Sequence, residues 1–289
     1  MAKREIDNKT GVPTTGHEWD GIKELDNKIP GWLAWTMATT IVWAIGYAIY
    51  YPSVPSFSGH TDGISDYSAR VEVEKDIAKA GLARQKYYNQ IIATDVEDIL
   101  KDDTLRTFAL RGGESAFKEN CAACHGVGGQ GAKGFPNLAD DDWLWGTGTI
   151  EDITTTIVHG IRALNDDDTR YSEMPAFDAE TLDRDEWRNV AEYVLSLSNL
   201  THREERAELG KELYIENCSS CHAEDGSGDN EVGSPALNDA IWLKAEGTRK
   251  GIKAQIRNPK MGMMPAWNNR LEPITIKMLV AYVYSLGGK

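Results

Sequence analysis

The chain has 289 residues, 41% of them hydrophobic and 26% charged, and a formal net charge of -14. That length accommodates two modest domains with additional segments. So acidic a chain lacks the clustered Lys and Arg that phosphate backbones demand, which excludes nucleic acid and points to basic protein surfaces as partners.

Residues 1–31 form a polar lead-in with five Lys/Arg and six Asp/Glu. Trp32 to Tyr51 is then a 20-residue stretch without a charge, WLAWTMATTIVWAIGYAIYY. At about 1.5 Å per residue such a helix spans about 30 Å, the thickness of a bilayer's hydrocarbon core, so residues 32–51 are expected to form a transmembrane helix. Trp32 and Trp35 at one end, and Tyr47, Tyr50 and Tyr51 at the other, suit the two interfaces. Pro30 precedes the span and Pro52 ends it. A cleaved signal peptide would have a shorter apolar region, roughly 7–15 residues, ending in small residues. This span is instead followed by YPSVPSFSGH. Lys3, Arg4, Lys9, Lys23 and Lys28 lie before it, whereas no Lys or Arg occurs from Pro52 to Ala69. The expected topology is therefore single-pass in the cell inner membrane, with a cytoplasmic N-terminus and a periplasmic remainder.

Residues 52–104 read as a periplasmic connector. Residues 53–69 are polar, and 70–103 are helix-prone, with Val73, Ile77, Ala80, Gly81, Arg84, Tyr88 and Ile91 near helical spacing. A spacer helix packing on a neighbour is expected there.

A repeat of roughly 95 residues follows. Glu114 to His125, ESAFKENCAACH, echoes Lys211 to His222, KELYIENCSSCH. Pro136, Leu138 and Trp143 match Pro235, Leu237 and Trp242, and Met174-Pro-Ala-Phe177 matches Met264-Pro-Ala-Trp267. Each copy has a helix running into its Cys pair, a Gly-rich loop and an apolar closing helix around Tyr193 or Tyr282. The fold class is mainly α, with one N-terminal transmembrane helix and two tandem domains over 105–201 and 202–289.

The chain's four cysteines form two Cys-x-x-Cys pairs, each followed by His. Cys-x-x-Cys-His is the signature of c-type haem attachment. Two thiols three residues apart, at a helix end, each reach one vinyl group of a single porphyrin, and the next His supplies the proximal nitrogen. Cys121 and Cys124 thus hold one haem with His125 as ligand, and Cys218 and Cys221 hold a second with His222. A thioredoxin-type site expects a strand–helix setting and no duplicated His. A four-Cys zinc site expects its pairs roughly 15–20 residues apart. Such haem attachment takes place outside the cytoplasm, in agreement with the topology read from Lys and Arg.

Met–His coordination closes the iron and raises its potential. The matched Met-Pro-Ala contexts single out Met174 and Met264, the latter over its neighbours Met261 and Met263. His159 has Asn258 as its counterpart in the second repeat and reads as a surface or loop residue, and His17, His60 and His202 as solvated. The runs Asp140 to Asp142 and Asp166 to Asp168 read as solvated loop faces without EF-hand spacing. Arg162, Arg249 and Arg257 are each open to haem propionates or to ordinary surface pairs. No other constellation looks catalytic.

This layout resembles the dihaem subunit (CcoP/FixP) of cbb3-type cytochrome c oxidases. The lead-in carries the more specific part of the likeness: His17, Trp19-Asp-Gly, Glu24-Leu-Asp-Asn27 and Pro30 before the Trp-rich span. The resemblance implies class I cytochrome c domains, His–Met ligation of both haems (His125 with Met174, His222 with Met264) and a role in electron entry. Electrons would come from a soluble or membrane cytochrome c donor and pass through a monohaem cytochrome c subunit to a haem–copper catalytic subunit that reduces oxygen. On this reading the chain is an electron-transfer subunit and not catalytic alone. The rivals are a dihaem cytochrome of a quinol-oxidising complex or a free membrane-bound shuttle, a dihaem peroxidase, which needs an open iron, and a passive assembly subunit. Residues 52–201 carry a net charge of -13 against zero for 202–289, so the first haem domain is expected to dock a cationic donor.

Overall fold

A computed structural model of the protein describes residues 5–239 and 241–288, with the Ser56 side chain left aside. Lys3 and Arg4, two of the cations invoked for topology, lie outside the described residues. The fold is mainly helical, as expected, and the chain divides into two compact units, Met1–Ala80 and Gly81–Lys289.

In the first unit the lead-in forms a β-hairpin that the sequence reading did not anticipate, β1 (Thr14–Trp19) against β2 (Ile22–Leu25). Asp20 and Gly21 close it with φ of 47° and 83° between the partners Trp19 and Ile22, the two-residue turn that Asp-Gly favours. Helix α1 (Gly31–Tyr50) lies within one residue of the expected span, and its 20 residues are long and apolar enough to cross a membrane. Its three threonines leave no hydroxyl unpaired: Thr36 donates to the Trp32 carbonyl, Thr39 to that of Trp35 and Thr40 to that of Met37, each at 2.9 Å. Beyond α1 a short pair, β3 (Pro55–Ser56) and β4 (Gly59–His60), turns the chain, and the Tyr67 ring meets Tyr51 edge-on at 5.4 Å.

Helix α2 (Ala69–Ala93) begins in the first unit and ends in the second. Only its C-terminal turns join a core: Tyr87 stacks on Phe108 at 4.8 Å, and Ile91 is fully buried. The helix-prone stretch 70–103 thus forms most of α2 and a short α3 (Val96–Lys101).

In the second unit, α4 (Asp103–Asn120) starts at Asp102, whose side chain accepts from the Thr104 and Leu105 N–H groups. The first repeat continues with α5 (Ala122–His125), α6 (Ile150–His159) and α7 (Arg184–Leu197). The second supplies α8 (Glu204–Asn217), α9 (Ser219–His222), α10 (Arg249–Arg257) and α11 (Pro273–Ser285). Thr149, Asp183 and Thr248 cap α6, α7 and α10 through their side chains.

The two cores cross the repeat boundary near 201–202, where each repeat was expected to close on itself. The last helix, α11, packs on α4 and α6 of the first repeat, and α7 packs on α8 and α10 of the second. The exchange is reciprocal in detail. Phe117 faces Tyr282 at 5.4 Å, and its counterpart Tyr214 faces Tyr193 at 5.1 Å. Gly113 lies against the Met278 backbone, and Gly210 lies against that of Asn189. The Trp267 N–H donates to the Ile157 carbonyl, and the Phe177 N–H to the Ile256 carbonyl, each at 3.1 Å. The connection explains the choice. Only residues 198–203 separate α7 from α8, and so short a link favours antiparallel neighbours.

Candidate functional site

Each Cys-x-x-Cys-His segment is a single helical turn appended to a longer helix. α4 ends at Asn120 and α8 at Asn217, so that the first Cys of each pair is the C-cap. The second Cys and the His then follow within one turn. The Cys124 and His125 N–H groups donate to the Cys121 carbonyl at 3.0 and 2.9 Å, and those of Cys221 and His222 to the Cys218 carbonyl at 3.2 and 2.9 Å. The Gly-rich loop folds back directly. Gly131 donates to the His125 carbonyl at 2.7 Å, and Gly228 to that of His222 at 3.0 Å.

Both imidazoles are held alike. His125 Nδ1 lies 3.1 Å from the Pro136 carbonyl oxygen, and His222 Nδ1 lies 3.0 Å from that of Pro235. A carbonyl only accepts, so Nδ1 carries the proton and Nε2 presents its lone pair. Burial pushes both imidazole pKa values down, against the smaller opposing effect of the proline carbonyls, which keeps the rings neutral and able to ligate. Burial also pushes the Cys121 and Cys218 thiols up to about 11, an effect that the neighbouring Cys124 and Cys221 reinforce.

The two turns border one continuous, largely apolar cavity of about 580 Å³. Trp143, Leu138, Trp242 and Leu237 line it, together with both methionines, and it has the character of a cofactor site. The residues fit a c-type haem at each motif: paired thiols at a helix end, a neutral imidazole with a free Nε2, and an apolar chamber with a thioether in its lining.

The methionines are exchanged relative to the pairing that the resemblance implies. Met264 belongs to the core that contains Cys121, Leu138 and Trp143, and Met174 to the core with Cys218, Leu237 and Trp242. Met264 is fixed on that side by a two-way bridge to Ile161, its N–H donating at 2.9 Å and its carbonyl accepting at 3.0 Å. Gly160 makes the approach possible. With φ of +69°, and with the Met264 carbonyl and Ala266 N–H where a Cβ would stand, only glycine fits. The physical reason for the exchange is the helix swap, since each methionine loop travels with the closing helix that follows it. Met261 and Met263 also border the cavity but are exposed and lie outside that core.

His159 is the last residue of α6 and is half-buried, bonded through Nδ1 to Asp166 at 2.9 Å. Asp166 is therefore not a solvated loop residue. Its side chain is 7% exposed, and it also accepts from Asn268 at 2.5 Å, pinning the first repeat to the second. Of the three arginines singled out by sequence, Arg249 pairs with the buried Glu192 at 2.5 Å and Arg257 lies over the Trp187 ring at 4.6 Å. Only Arg162 borders the cavity. Sequence reasoning missed Lys244, which borders it too and donates to the Gly134 carbonyl. The signal lay in the repeat, where Trp143-Leu-Trp145 becomes Trp242-Leu-Lys244.

Residues 11–58 match the family model described as the N-terminal domain of cytochrome oxidase-cbb3, FixP. Residues 108–194 and 205–283 match the model described as cytochrome C oxidase, cbb3-type, subunit III. The chain is 49% identical over 288 residues to the cbb3-type cytochrome c oxidase subunit FixPc of Rhizobium leguminosarum bv. viciae, an alignment covering 100% of this chain and 99% of the relative. It is 48% identical over 296 residues to the subunit CcoP of Azospirillum brasilense, and 46% identical over 290 residues to that of Cereibacter sphaeroides, with the same coverage in both cases.

Proposed function

We propose, for a chain that belongs to the CcoP/FixP family of cbb3-type cytochrome c oxidase subunits, how its residues serve electron transfer in that oxidase. Cys121 and Cys124 attach one c-type haem and Cys218 and Cys221 a second. His125 and Met264 ligate the first iron; His222 and Met174 ligate the second. The haem supplies one-electron chemistry when bound. The protein's own residues fix the His tautomer through the Pro136 and Pro235 carbonyls, and the histidines and methionines would hold each iron when the haems are bound.

The observation that carries this reading is the pair of Cys-x-x-Cys-His turns on one apolar cavity, each sharing a core with a methionine. With one histidine and one methionine offered to each iron, no position would be left for peroxide, which argues against a peroxidase. The apolar helix α1 and the family membership fit a membrane-anchored protein. The N-terminus is assigned to the cytoplasm and both haem sites to the periplasm, supported by Lys9, Lys23 and Lys28 before α1 and the absence of Lys and Arg from Pro52 to Ala69. The partners are a monohaem cytochrome c subunit and a haem–copper subunit, with a cytochrome c as donor.

Purification in mild detergent tests the assignment. Two covalent haems per chain, with a haem–copper and a monohaem subunit in fixed ratio, are expected. An iron–sulfur protein with a b-type cytochrome, or a single haem, would contradict it.

A further inference from the structure

Arg162 occupies the point where the two methionine loops meet. Its Nε donates to the Ser172 carbonyl at 2.7 Å, and its Nη1 donates to the Gly262 carbonyl at 3.0 Å. Ser172 stands two residues before Met174, and Gly262 two residues before Met264. A single guanidinium therefore holds the same backbone position in both loops, one from each repeat. Arg162 pays for this place with φ of 53°, a left-handed conformation that non-glycine residues seldom adopt. Its own N–H donates to the Arg170 carbonyl at 2.9 Å, and the adjoining Ile161 bridges to Met264, so the backbone there is fixed on both sides. A strained backbone held in place by its surroundings marks a position under functional constraint.

The charge is unusual as well. Arg162 is half-buried and borders the cavity, yet among the described residues it forms no ion pair within 4 Å. Burial disfavours its charge and lowers its pKa, against the smaller opposing field of Glu173. Removal of a cation beside two redox sites favours the oxidised form of both.

We propose that Arg162 is a positioning residue that ties the two methionine loops into one unit, so that both sites loosen and shift in potential together when it is lost. The proposal rests on the crossed His–Met ligation described above. Neither hydrogen bond reaches a side chain that differs between the repeats, since both acceptors are main-chain carbonyls. The coupling thus needs nothing but the fork geometry of the guanidinium, which offers two donors at a fixed angle.

The test uses the full chain in its oxidase complex as wild type, Arg162→Gln and Arg162→Lys. Imidazole binds ferric haem iron where the methionine has let go, so its apparent affinity reports the open fraction at each site. Covalent haem stoichiometry and the near-infrared Met–Fe(III) bands of the wild type check the ligation itself. Their absence there would sink the underlying reading irrespective of Arg162. In Arg162→Gln, with two haems still attached, imidazole is expected to bind roughly tenfold tighter at both irons, equivalent to about 1.4 kcal/mol, and both midpoint potentials are expected to fall. Arg162→Lys keeps the charge without the fork. It should restore the potentials and leave imidazole binding tightened at both irons. A change confined to one iron, or absent from both, overturns the proposal. Should Arg162→Gln fail to accumulate, the Lys variant decides by the same criterion.

Discussion

Phe117, four residues before Cys121, places its ring 5.4 Å from that of Tyr282, a residue of the closing helix of the other repeat. Tyr193 and Tyr214 make the reciprocal contact at 5.1 Å. Two sequence repeats are thereby turned into one body in which the core around each Cys-x-x-Cys-His turn draws residues from both.

The close crossings of these helices give the first prediction. Gly113 and Gly210 leave no room for a Cβ against the Met278 and Asn189 backbones. Gly113→Ala and Gly210→Ala should each destabilise the protein by about 1–3 kcal/mol through overpacking, read as a lower urea midpoint. The exchange adds a signature. Gly210→Ala should speed amide hydrogen exchange in α7, which lies against it, more than in α11, although α11 belongs to the same repeat as Gly210.

A second prediction concerns pH. Glu192, 3% exposed on α7, accepts from Arg249 of the second repeat at 2.5 Å and from the Arg203 N–H at 2.7 Å. Burial alone would raise its pKa, but the hydrogen bonds from Arg249 and Arg203 outweigh it and hold the carboxyl below its ordinary value of 4.5. With the folded value depressed, the stabilisation is complete above pH 4.5 and is lost as pH falls through the folded value. Glu192→Gln should cost about 1.5–3 kcal/mol at neutral pH, the worth of hydrogen bonds to a charged group. It should also flatten the acid limb of the stability curve measured by urea unfolding.

The uneven charge predicts where a donor docks. Residues 52–201 carry -13 and residues 202–289 carry zero. Replacing Asp140, Asp141, Asp167 and Asp168 with Asn should slow association of a basic cytochrome c donor and flatten its dependence on salt, measured by stopped-flow. Asp166 is left intact, because its carboxylate holds His159 and Asn268. Unchanged rates and salt dependence would remove the docking surface from this face.

The legibility of the sequence was uneven for physical reasons. The uncharged run 32–51 predicted α1 to within a residue, because length and hydropathy alone define such a helix. The hairpin was passed over although Asp20-Gly21 marks its turn, since the strands beside it lack hydrophobic alternation. The repeat and its two haem motifs were read from spacing, yet the helix exchange was not. Phe117 and Tyr214, or Tyr193 and Tyr282, occupy equivalent repeat positions with similar side chains, so the sequence favours neither pairing. What selects between them is chain connection, which residues 198–203 impose and which periodicity does not report. The methionine assignment by sequence named Met174 and Met264 and paired each with the turn of its own repeat, whereas the structure packs each in the core of the other repeat's turn. Arg162 was named only as one of three candidate cations, because its two acceptors are carbonyls brought together by the fold.

The crossed ligation is the centre of this account, and the most direct measurement is the iron–sulfur distance in a structure of the haem-loaded oxidase. Met264 Sδ is predicted at bonding distance from the iron over His125, and Met174 Sδ from the iron over His222. Met174 bound over His125, with Met264 over His222, would contradict it.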